Sequence, residues 1–141
     1  MAKAEQSVTV NVSAEQMMAV IANYVKYPEF LPEIRRVEVQ SQEGDTAVVL
    51  FEIQMIMRVA YTLRLTQPGP NELYWELVDS KLMKVNSGHW KLEPVEADVT
   101  LVTYGIDLEL AGKLPSSVNK RMAGEALPET LARFKARAES I

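Results

Sequence analysis

Few residues of this chain could do chemistry, and their types and spacing narrow the choice further. His89 is the only histidine and there is no cysteine, which removes thiolate nucleophiles, Cys–His pairs and thiolate metal sites. No His-Glu-x-x-His or Glu-x-x-His spacing occurs. Six residues separate Gly105 from Gly112, and Leu114 follows Lys113, so "GIDLELAGKL" is no phosphate loop, and no glycine pair fits a dinucleotide fingerprint. Glu52, Glu76, Glu93, Asp107 and Glu109 alternate with apolar neighbours, which sends these carboxylates to a solvated face. His89 shares its face with Lys91 and Glu93 and is expected outside. What remains is a pair of phenols, Tyr61 and Tyr104. With an ordinary pKa of ~10 they are reluctant general acids, but they are good hydrogen-bonding handles.

The elements that must position these phenols follow from periodicity. "EQSVTVNV" alternates, with Val8, Val10 and Val12 on one face. Ser13 and Gln16 form a capping-box pattern ahead of Met17, Val20, Ile21 and Tyr24 at helical spacing. The helix should stop before Pro28. Pro28 and Pro32 then frame a short second helix carrying Phe30 and Leu31. Six further segments alternate: "EIRRVEVQSQ", "TAVVLFEIQM", "RVAYTLRL", "ELYWELV", "NSGHWKLEP" and "VTLVTYGIDLEL". Short turns join them, which predicts an antiparallel meander with the isolated first strand on one edge. The residues from Pro115 onward are helical in period, with Val118, Met122, Ala126, Leu127, Leu131 and Phe134 on one stripe. That helix is the only long cover for the apolar face. Pro128 lies inside it and should kink it or split it.

Bulk properties agree with a soluble globular protein. At 141 residues the chain suits one domain, 1–141, with 48% hydrophobic and 24% charged residues. The formal charge of −4 argues against direct nucleic-acid binding, whose footprint is basic. The first residues show no signal-peptide pattern and no apolar run approaches a membrane span, so a cytoplasmic location is expected.

The order of elements and the stretches "YPEFLP", "SGHWKLEP", "VTYGIDLEL", "LPSSVNKRM" and "LARFKARAE" resemble the START-like, or SRPBCC, superfamily. That superfamily includes the birch pollen allergen and the aromatic polyketide cyclases. Within it the resemblance is to bacterial coenzyme Q-binding and polyketide cyclase/dehydrase-type proteins. It implies an α+β helix-grip fold: a seven-stranded curved antiparallel sheet around a long C-terminal helix, with two short helices between strands 1 and 2. It also implies a hydrophobic cavity between sheet and helix, here lined by Phe30, Phe51, Ile53, Met55, Tyr61, Leu63, Trp75, Leu77, Trp90, Val102, Tyr104, Val118 and Met122. Such a lining suits binding or transport of a quinone, a lipid or a polyketide-like aromatic, with no cofactor, no metal and no catalytic residue assigned. With no inward His, Cys or carboxylate, affinity should be flat between about pH 6 and 8. The alternatives are a cyclase/dehydrase enzyme and a ribosome- or protein-interaction module of the toxin-like relatives. Met55, Ile56 and Met57 fall at a hairpin tip, where an apolar end could meet a membrane surface or a protein partner.

Overall fold

The computed structural model describes residues 2–54, 58–111 and 127–140. Seven strands form one antiparallel sheet in the order β1-β7-β6-β5-β4-β3-β2. They are β1 (Ala2–Val10), β2 (Ile34–Glu43), β3 (Thr46–Gln54), β4 (Arg58–Gly69), β5 (Glu72–Ser80), β6 (Met83–Glu96) and β7 (Val99–Leu110). Helix α1 (Ala14–Ile21) and a 3-10 helix (Tyr24–Glu29) connect β1 to β2, and α2 (Leu127–Glu139) ends the described chain. This is the helix-grip arrangement expected from the sequence.

Strict alternation sets the register. Trp90 is only 3% exposed while its neighbours His89 and Lys91 lie on the other face, paired with Gly105 and Thr103 of β7. A one-residue slip would have reversed every one of these assignments. At the β2–β3 turn Gly44 adopts a φ of 59°, a left-handed conformation that glycine takes without steric cost.

Two details of the helices differ from the sequence reading. The helical stripe through Tyr24 is broken: α1 closes at Ile21, and Tyr24 belongs to the 3-10 helix, which contains Pro28. A proline late in so short a helix interrupts no long ladder of i→i−4 bonds, which is why it sits inside instead of marking a boundary. The C-terminal helix was expected from Pro115, yet the helix described is α2, thirteen residues long, with Pro128 in its first turn. Residues 112–126, with Val118 and Met122, lie outside the described residues.

α2 buries Leu131, Phe134 and Ala138 and is fastened at its C-terminal end by polar contacts. Lys135 Nζ donates to the Thr9 carbonyl at 2.9 Å, and the Asn11 amide donates to Glu139 Oε2 at 2.8 Å. The Ser13 hydroxyl accepts from the Gln16 amide at 3.1 Å, the expected N-cap. The Gln16 side chain, however, donates to the Ala138 carbonyl at 3.0 Å and so also serves a carbonyl left open at the end of α2.

Two glycines thin the sheet at β6 and β7. A Cβ at Gly88 would stand 2.2 Å from Cζ2 of the Trp75 indole, on the concave face. A Cβ at Gly105 would stand 2.4 Å from Cε1 of His89, on the convex face. His89 Nε2 meets Glu5 Oε2 there at 3.0 Å, with 27% of the imidazole side chain exposed.

Candidate ligand-binding site

Between the concave face and α2 lies a cavity of about 220 Å³. Its walls are mainly aromatic because inward positions on neighbouring strands stand side by side. Phe51 and Tyr61 are cross-strand partners and their rings stack at 5.5 Å. Tyr104 stacks on Trp75 at 5.6 Å and touches Trp90 at 4.5 Å. Phe134 of α2 links the two groups through Tyr27: it is edge-on to Trp90 at 4.8 Å and to Tyr27 at 5.3 Å, and Tyr27 lies 6.1 Å from Phe51. Pairs of this geometry add about 0.5–1.5 kcal/mol beyond area burial, so the wall is stiff.

The polar groups in this wall are few. Trp75 Nε1 donates to Asn86 Oδ1 at 3.0 Å, which satisfies the indole and holds it over Gly88. The Tyr27 hydroxyl donates to the Ile21 carbonyl and is thereby spoken for. Among the described residues no hydrogen-bond partner meets the hydroxyls of Tyr61 and Tyr104. Burial pushes both phenols well above their ordinary range, and the negative charge of Glu33 pushes them further. They stay protonated and can donate to a guest.

Of the residues expected to line the cavity, Phe51, Ile53, Tyr61, Leu63, Trp75, Trp90 and Tyr104 are brought together at its wall. Three others are placed elsewhere. Val102 is fully buried between Val8 and Leu92 in the ladder. Leu77 is half-buried, beside a bulge in the β4–β5 pairing. Phe30 packs on Tyr27 and Phe134 at 5.8 and 5.0 Å, with the Arg137 guanidinium 5.3 Å from its ring centre. From "YPEFLP" it is Tyr27 and Leu31 that reach the cavity. Met55, Val118 and Met122, and the Met55–Met57 tip, lie outside the described residues.

Sequence reasoning missed Tyr27, Asn86 and above all Glu33. Glu33 lines the cavity half-buried, and Glu129 and Arg133 border it as an ion pair at 2.7 Å. The expectation of a lining without carboxylates therefore fails. Glu33 stands between Pro32 and the start of β2, where neither helical nor strand alternation gives a side-chain direction. Its nearest signal in the sequence is its place at the end of "YPEFLP". Among the described residues no group of three or more His, Asp or Glu is placed to hold a metal, and no helix is long and apolar enough to cross a membrane.

Comparison with known proteins adds a family model described as "Polyketide cyclase / dehydrase and lipid transport", which matches residues 1–139. The ribosome association toxin RatA of Escherichia coli K12 is 24% identical over 130 residues, 92% of this chain and 82% of that protein. A START superfamily protein from Mycobacterium smegmatis superposes with a TM-score of 0.87 at 20% identity, covering 98% of this chain and 97% of the other. The ZhuI aromatase/cyclase from Streptomyces sp. R1128 gives 0.84 at 17% identity, covering 98% and 93%. At such identities the structural likeness establishes the fold.

Proposed function

The chain belongs to the polyketide cyclase / dehydrase and lipid transport family, and from that premise we propose that it binds a hydrophobic small molecule in the cavity under α2, acting as a carrier without covalent chemistry. The observation that carries this reading is the cavity wall: a series of stacked and edge-on rings with two phenol hydroxyls that have no hydrogen-bond partner among the described residues. Apolar walls with a few placed polar groups are what small-molecule sites are made of. Raised phenol pKa values weaken a general-acid role and strengthen a donor role. At about 220 Å³ the cavity lies just below the ~300–1,000 Å³ usual for ligand sites. It therefore favours a compact ring system over a long acyl chain, and of a quinone, a lipid and a polyketide-like aromatic it suits the ring compounds better.

Both tryptophans of the chain, Trp75 and Trp90, line the cavity, so intrinsic fluorescence reports on occupancy. Naphthoquinone, a compact quencher, should quench that emission saturably at one molecule per chain, and the absence of cysteine removes thiol adducts from the readout. Native mass spectrometry of freshly purified protein should show a co-purified apolar mass. Quenching that stays linear in quinone, as for random collision, would overturn the proposal.

A further inference from the structure

Glu33 gives the cavity a charge that its rings alone would not predict. Its carboxylate lines the wall half-buried, and among the described residues it has neither an ion pair nor a hydrogen bond. The other two charged residues of the described lining cancel: Arg133 Nη2 donates to Glu129 Oε1 at 2.7 Å, within one face of α2. Arg133 is the only cation among the described lining residues, so among these residues no free positive group is offered to an anionic guest. Electron-rich ring faces surround the space, including the stacked pairs Phe51–Tyr61 and Trp75–Tyr104.

An unpaired carboxylate beside aromatic faces is the chemistry that receives an organic cation. The rings attract the cation through their quadrupoles, and the carboxylate does so through its charge, in a setting less screened than water. The same charge repels a guest carboxylate and would leave two like charges desolvated together. Resting on the binding function proposed above, we propose that the cavity selects an apolar ring compound that carries an amine and discriminates against carboxylates, with Glu33 as the selecting group. Burial raises the pKa values of Tyr61 and Tyr104, and the charge of Glu33, which lines the same cavity, raises them further.

Three matched probes separate the possibilities by calorimetry: naphthylmethylamine, naphthalenemethanol and naphthoic acid, each at neutral pH. The ammonium should bind tightest, the alcohol next and the naphthoate weakest, with about tenfold or more between the extremes, as expected for one charge at partial screening. Glu33→Gln keeps the shape and should reduce that gap to threefold or less while leaving the alcohol within about twofold, since only the charge term is removed. Equal binding of all three probes to the unmodified protein, or preference for naphthoate, would overturn the selectivity and leave the binding function standing. A gap that survives Glu33→Gln would overturn the assignment to Glu33. Failure of all three probes to bind would overturn the binding function and the selectivity with it. The comparison on the unmodified protein decides the selectivity even if the variant folds poorly.

Discussion

Strands β6 and β7 use one device twice, once for each face of the sheet. On the concave side the Trp75 indole lies over Gly88, and on the convex side the His89 imidazole lies over Gly105. The two rings are held very differently. Trp75 is fixed by its bond to Asn86 and by its stack on Tyr104, and the space above Gly88 is also bounded by the Gly105 carbonyl oxygen, 2.3 Å from a Cβ built there. His89 is held by Glu5, whose side chain is 63% exposed, and its ring can swing into solvent. The same sequence device is thus rigid where it shapes a cavity and yielding where it faces water. At Gly88 the pinned indole and the Gly105 carbonyl oxygen leave an added Cβ no room.

This contrast can be broken or sharpened by substitution. Gly88→Ala should have the largest effect, a loss of about 3 kcal/mol, because a backbone oxygen and a pinned indole both stand in the way. Urea unfolding would measure the loss, and displacement of Trp75 should weaken naphthoquinone quenching in parallel. Gly105→Ala should cost about 1 kcal/mol or less: His89 rotates away, and alanine in a strand recovers part of the backbone entropy that glycine loses. Quenching should be unchanged. Equal losses at the two positions would break the comparison. The smallest effect is expected from Glu5→Gln, which keeps a hydrogen-bonding partner for His89 and removes only an exposed charge. Its unfolding midpoint should match that of the unmodified protein, and a clear drop would show that His89 is held more firmly than its exposure implies.

The concave wall was legible in the sequence wherever strict alternation ran undisturbed. Trp75, Trp90 and Tyr104 point inward because each sits in an unbroken two-residue period, the one pattern in which a side chain's direction follows from its number. Legibility failed where that period breaks. Leu77 lies beside a bulge, which displaces side chains from the simple count. Tyr27, Phe30, Leu31 and Glu33 lie in or just after a 3-10 helix containing a proline, where no repeat is long enough to fix a direction. "YPEFLP" therefore announced burial correctly but not which side chain meets the cavity. Among the described lining residues the one carboxylate without a partner, Glu33, directly follows that stretch.

The fastening of α2 also has a consequence for how the chain assembles. Five of the six ladders join strands that are neighbours in sequence, and only β1–β7 does not. The hairpins of the meander can close over short loops. By contrast, the Asn11–Glu139 contact spans 128 residues and the Gln16–Ala138 contact spans 122. The entropy of closing loops that long must be met before such contacts can repay it. Docking the last helix against the first strand is thus also the event that brings Phe134 to the cavity wall. A guest held under that helix binds only the docked form, so by mass action it draws the two ends of the chain together.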